Sequence, residues 1–184
     1  MTPNKTDGRA TAQRARVRCF GDSAGTAIIE FAFATPILVV LVLNLFDFSV
    51  LIWSTMQTDY SAQMGAQAAF KLCAGGSPPA LTNCAGLAAA VTTAAQSTSL
   101  GAGVTVATGS PSEDFYCVSG NTLQSIGSTK PNPYNCSTAT PPNAAATPGD
   151  YILVQVNYSY TPTFSGLSLA SAHTLTATAM QRVD

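Results

Sequence analysis

Charge is what this sequence has least of. Asp, Glu, Lys and Arg together make up 9% of its 184 residues, against about 25% in an average soluble domain. Apolar residues reach 46%, and mean hydropathy is positive at +0.21. Such a balance disfavours both an ordinary cytosolic enzyme and a charged disordered tail. Basic residues are scarcer still beyond the head of the chain: Lys5, Arg9, Arg14, Arg16 and Arg18 precede residue 26, and only Lys71, Lys130 and Arg182 follow it. A nucleic-acid partner therefore has almost no electrostatic support. Histidine is nearly absent, and any Ser-His-Asp or Cys-His centre would have to use His173. Neither a nucleophile elbow, nor the close cysteine pair of a zinc site, nor a phosphate-binding glycine loop occurs. The adjacent carboxylates Glu113 and Asp114 read as a solvated turn rather than as acid and base across a substrate. Together these absences point away from an enzyme, a resident metal and a cofactor.

What the sequence does have is one long apolar run. From Thr26 to Trp53 it extends 28 residues, about 42 Å as a helix and enough to cross a hydrocarbon core of about 30 Å. The basic head lies immediately before it, so the positive-inside rule keeps residues 1–25 cytoplasmic and carries the rest across, with Trp53 and Tyr60 suited to the outer interface. A cleaved secretory signal would need a small-x-small site after the run, yet no alanine occurs between Ala34 and Ala62. The run therefore reads as a retained anchor. Two carboxylates interrupt it. Asp47 suits the outer headgroup level. Glu30 stands five residues after Gly25 at the head of the apolar helix, the form of a prepilin processing site. Glycine before the scissile bond leaves an unhindered backbone. Cleavage between Gly25 and Thr26 would create an ammonium able to pair with Glu30 of the same or a neighbouring chain. A glutamate there also suits a helix N-terminus without any processing.

Residues Gly25 to Pro36, G-T-A-I-I-E-F-A-F-A-T-P, followed by an aliphatic run and Asp47-Phe48, are similar to the N-terminal signature of the TadE-like family, pseudopilin-like components of tight-adherence (Flp-type) pilus systems in bacteria. The alanine-rich Ala62 to Ala69 resembles the helix that follows in that family, and Val154 to Pro162, Gly166-Leu167 and Leu175 to Arg182 resemble its closing strand pair. The resemblance implies a membrane-embedded minor pilin or assembly factor, matured by a prepilin peptidase and working with other pilin-like or Tad pilus assembly proteins. It implies residence in the bacterial inner membrane, single-pass, with a periplasmic C-terminal domain that can become pilus-associated. An uncleaved bitopic adaptor or binding module of an envelope complex is the alternative.

Beyond the anchor, Trp53, Met56, Tyr60, Met64, Ala68 and Leu72 recur at helical steps and read as an apolar stripe packed on the chain's own sheet. The small residues Ala62, Gly65, Ala66 and Ala69 would let another helix approach. Residues 54–72 thus form a helical stalk, ended by Gly75-Gly76 and Pro78-Pro79. Residues 73–184 make an extracytoplasmic domain: a short helix at 87–96, short strands at 104–107 and 115–118, and a Ser/Thr/Asn/Pro-rich surface loop of disordered-like composition at 125–149. Two alternating strands at 151–160 and 174–182 pair antiparallel. The fold class is α+β, a long N-terminal transmembrane helix extending into a small antiparallel sheet, pilin-like in architecture. Cys19 falls on the reducing side of the membrane. Cys73, Cys84, Cys117 and Cys136 lie beyond it and allow three connectivities. Sequence neighbours suggest Cys73 with Cys84 and Cys117 with Cys136.

Overall fold

A computed structural model of the protein describes residues 23–184. The basic leader up to residue 22, with Cys19, lies outside the described residues. The chain divides into two compact units, Met1–Val39 and Val40–Asp184.

Helix α1 runs Ser23–Cys73, 51 residues interrupted by no strong breaker except Pro36. Proline lacks the N–H that would bond four residues back, and in the turn before it Thr35 Oγ1 donates to the Phe31 carbonyl at 2.6 Å. The helix stops where Gly75 takes a left-handed φ of +78°, a conformation that costs glycine little. Two shorter helices follow, α2 (Ala80–Asn83) and α3 (Leu87–Ala95), then strands β1 (Val104–Val106), β2 (Ser112–Ser119), β3 (Thr122–Gly127), β4 (Gly149–Tyr160) and β5 (His173–Arg182).

β4 is the spine of an all-antiparallel sheet. Along one edge it pairs with the whole of β5, from Tyr151↔Arg182 to Tyr160↔His173. Its other edge takes β2 at Gly149–Leu153 and β1 at Val156–Tyr158, and β3 adds to β2 as a hairpin. The alternation of β4 decides its faces. Ile152, Val154 and Val156 are wholly buried against the helices, each worth about 1.5–3 kcal/mol. Gln155, Asn157 and Ser159 point to the polar face, where Thr176 Oγ1 donates to Asn157 Oδ1 at 3.0 Å.

The helical layer reverses one expectation. The side of α1 that meets the sheet is not the stripe of Trp53, Met56 and Tyr60 but the opposite one: Ser54, Thr58, Ser61, Ala62, Gly65, Ala66, Ala69 and Cys73 are buried. Close approach explains this. A Cβ placed on Gly65 would lie 3.0 Å from Val154 Cγ1 and 3.3 Å from Val91 Cγ1, so larger side chains here would hold the sheet and α3 away from the helix. The hydroxyls of Thr58 and Ser61 tolerate burial because both are hydrogen-bonded: Thr58 to the Ser54 carbonyl at 2.7 Å, Ser61 to the Gln57 carbonyl at 2.9 Å and to Thr98 Oγ1 at 2.8 Å. The small residues thus seat the chain's own sheet and helix α3, and the bulky stripe faces outward.

Disulfides Cys73–Cys84 and Cys117–Cys136 close loops with sequence separations of 11 and 19. Each contributes about 2–4 kcal/mol. The first ties the end of α1 to the segment after α2. The second gives residues 125–149, loop-like by composition, a small core of Cys117, Cys136 and Ala139 against Ile126 and Ala146. Residues Ser125–Gly127 belong to β3, and Cys136 bridges to Asn143.

Candidate functional site

Among the described residues, helix α1 carries most of the large apolar side chains left uncovered. In the first unit Ile28, Ile29, Phe31, Phe33, Ile37 and Leu38 are all exposed. The span Ile28–Cys73 holds a stretch long and apolar enough to cross a membrane. In the second unit the sheet side of the helix is covered and the outer side is not. Leu45, Phe48, Ile52, Met56 and Tyr60 follow one another at steps of three and four along that outer side, with Met56 64% exposed. Leucine, phenylalanine and methionine at such exposure over four turns form a contiguous apolar strip, a surface that soluble monomers rarely show unless it binds something.

The two polar residues in the apolar run face the other way. Asn44 and Asp47, three apart and so on one side of the helix, are both buried, Asp47 completely. Their partners are the backbone of the β4–β5 loop. Asp47 accepts from the Thr163 N–H at 3.0 Å and the Phe164 N–H at 3.4 Å, while its own carbonyl accepts from the Tyr160 hydroxyl at 3.0 Å. Asn44 accepts from the Leu169 N–H at 2.7 Å and donates to the Leu167 carbonyl at 3.0 Å. Phe46 and Phe164 add an edge-to-face ring contact with centroids 6.0 Å apart. Asp47 suits the outer headgroup level by sequence; the structure adds that it clamps a loop, and a carboxylate that would cost roughly 2.5–3.5 kcal/mol at a bilayer centre is supplied with donors by the protein itself.

The processing residues Gly25, Thr26 and Glu30 all fall within α1. Thr26 and Glu30 are exposed, and their spacing of four sets them on one helix face, within reach of each other across a turn. The cysteines named with them are consumed by the two disulfides. His173 opens β5, with Nδ1 2.8 Å from the Ser171 carbonyl and its ring against Tyr160. Among the described residues no group of three or more His, Cys, Asp or Glu is placed to hold a metal ion.

Sequence reasoning missed a carboxyl pair. Glu113 is not in a solvated turn; it lies in β2 with the same inward parity as Phe115 and Cys117, the signal that would have revealed it. The Ala80 N–H is shared between Glu113 Oε1 at 2.7 Å and Asp150 Oδ2 at 3.0 Å, and Glu113 Oε2 takes the Leu81 N–H at 3.2 Å. Burial first, then the hydrogen bond to Glu113, pushes Asp150 up from 3.8 to about 7; Asp184 adds in the same direction and the Ala80 N–H opposes. The fold thus holds a proton that the unfolded chain releases. The stability this brings is complete below the ordinary carboxyl range and is lost as pH rises through about 7. The melting temperature of detergent-solubilised protein should therefore fall between about pH 5 and pH 8, and Asp150→Asn should flatten the fall. A wild-type protein equally stable at both values would contradict the proton held on Asp150.

A family model described as TadE-like protein matches residues 25–67. The match begins at the glycine of the proposed processing site and covers the apolar span, the clamp residues Asn44 and Asp47, and most of the small-residue face. Neither the curated proteins nor the solved structures include a match to the chain. The family match and the membrane-length helix together suggest a membrane protein associated with a Tad pilus.

Proposed function

We propose that the protein is a membrane-anchored minor pilin, a pseudopilin taking part in assembly of a tight-adherence (Flp-type) pilus. Its helix would hold it in the bacterial inner membrane with the leader cytoplasmic and the 73–184 domain periplasmic. A prepilin peptidase would cut between Gly25 and Thr26. The observation that carries this reading is the outward strip Leu45–Tyr60: the domain packs on the small-residue side of α1 and leaves the bulky side available along helical turns that continue the membrane-length segment. A helix used only as an anchor has no need for exposed Met56 and Tyr60 beyond the bilayer. A helix that packs with other pilin-type helices does, with lipid and neighbouring helices as its two successive environments. The TadE-like match over the same residues supports it.

One observation favours a second reading, an uncleaved bitopic adaptor that scaffolds the envelope machinery. Gly25 and Thr26 lie inside the helix that begins at Ser23, whereas a peptidase takes its substrate in extended form. Reading the N-terminus of protein recovered from cell envelopes separates the two: Thr26 for the pseudopilin, residues 1–25 intact for the adaptor. Replacing Glu30 tests the role of its charge. Glu30→Gln removes the group that would pair with a new ammonium and lowers the cost of inserting the helix. Membrane insertion should survive while pilus number falls severely. Normal piliation in that strain would remove Glu30 from the assembly step.

A further inference from the structure

We propose that the β4–β5 loop, through Leu167 and Leu169, is a second membrane contact that dips into the outer lipid boundary beside the helix. The inference rests on the reading of α1 as a membrane anchor.

Three observations carry it. A hydrocarbon core of about 30 Å takes about 20 helical residues. Counted from Ile28, where the apolar span begins, these end near Asp47. That is the level at which Asn44 and Asp47 hold the loop, so the loop is fixed at the lipid boundary by the helix that crosses it.

The loop is also built for such a place. Residues 161–172 contain no Asp, Glu, Lys or Arg. Leu167 is 54% and Leu169 83% exposed, beside the exposed Leu41, Leu45 and Phe46 of the helix. A lipid boundary penalises unpaired backbone groups. Here the amides of Thr163, Phe164, Leu167, Ser168, Leu169 and Ala170 all have acceptors within the loop or on the helix.

Finally, the domain is polarised along β4. Glu113, Asp114, Asp150 and Arg182 sit at its Gly149–Leu153 end, where Glu113 pairs with Ile152 and Arg182 with Tyr151. The loop sits beyond Tyr160 at the other end, about 30 Å away at the rise of a strand. A loop meant for water has no reason to gather the bare leucines at the end of the sheet where the strands carry no Asp, Glu, Lys or Arg.

Single-tryptophan reporters test this in the full chain. In a Trp53→Phe background, Leu169→Trp, Leu41→Trp and Val118→Trp report on the loop, on the helix and on the far hairpin respectively; Val118 is itself 65% exposed. Each protein is reconstituted into phosphatidylcholine and phosphatidylglycerol vesicles with and without acyl chains brominated near the headgroup. Leu169→Trp should show blue-shifted emission and lose intensity to bromine nearly as Leu41→Trp does, while Val118→Trp keeps both water-like emission and full intensity. If Leu41→Trp is quenched and Leu169→Trp matches Val118→Trp, the loop is in water and the proposal is overturned. If Leu169→Trp is blue-shifted but not quenched, a second copy of the chain covers it and lipid does not, which also overturns it. If Leu41→Trp itself escapes quenching, the anchor reading fails and takes the loop contact with it.

Discussion

Gly25→Val is expected to insert normally in the membrane, to accumulate about 25 residues longer than the wild type, and to be missing from any filament or assembly complex. Valine is β-branched and loses the backbone conformations that glycine alone reaches at positive φ, so it closes the approach of a peptidase to the bond before Thr26. The apolar segment starts after this position and its length and flanking basic charge are unchanged, so orientation should be unaffected. Uncut protein would lack the ammonium at Thr26 that can pair with Glu30, and would keep on the cytoplasmic side a basic leader that cannot enter a packed helical array. The effect on assembly is all or nothing, because no second site of the same form follows at the head of the run. The measurement is intact mass together with piliation. A variant equal in mass to the wild-type protein from cells, with normal assembly, would leave the bitopic adaptor as the better account.

The largest effect on stability is expected at Asp47. In Asp47→Ala the part-buried N–H groups of Thr163 and Phe164 lose their acceptor, and the loop must find water or peel away from the helix. Bonds to a charged group are worth about 1.5–3 kcal/mol each and relaxation of a surface loop returns part of that, so about 2–4 kcal/mol is lost in all. For a domain of this size that is a fall of roughly 5–10 °C in melting temperature. The loss should be confined to the loop end first, since Asp47 does not touch the disulfides or the Val91 and Val154 core. Hydrogen exchange at Thr163, Phe164 and Leu169 should accelerate before any amide of β4 responds. Uniform acceleration throughout the sheet, or an unchanged melting temperature, would mean the clamp is incidental.

The strand pair β4 and β5 was legible because apolar and polar residues alternate strictly from Val154 to Tyr160 and from Thr174 to Ala179, and one side of β4 is buried: Ile152, Val154 and Val156 could face only a core. The helix α3 was legible from its alanine-rich run. Strand β3 was not, because no residue of Thr122–Gly127 is fully buried and Ile126 packs only on the small core around the second disulfide, too little apolar alternation to read. The covered side of α1 was misjudged for a different reason. Hydrophobic periodicity shows that one side of a helix avoids water, but not whether protein or lipid replaces it. In a chain of this composition the large side chains can be left for lipid and partners while the sheet takes the small ones. Gly65 and Ala69 marked the close approach correctly but not what approaches. The polar residues Asn44 and Asp47 carried a usable signal, their spacing of three within an apolar run, which places both on one side of a helix. Their acceptor role lay hidden because the donors are backbone amides more than a hundred residues away, invisible to any side-chain motif.

The central claim is that the outward strip of α1 binds other pilin-type helices in the envelope. A photo-reactive residue placed at Met56 or Ile52 in living cells, with Val118 as the exposed control, tests it directly. Irradiation is expected to join the Met56 and Ile52 positions, but not Val118, to another pilin-like subunit or a second copy of this chain, and the adducts should vanish in the Gly25→Val strain. Adducts at neither helix position, while the protein is present in the membrane at normal level, would contradict the account.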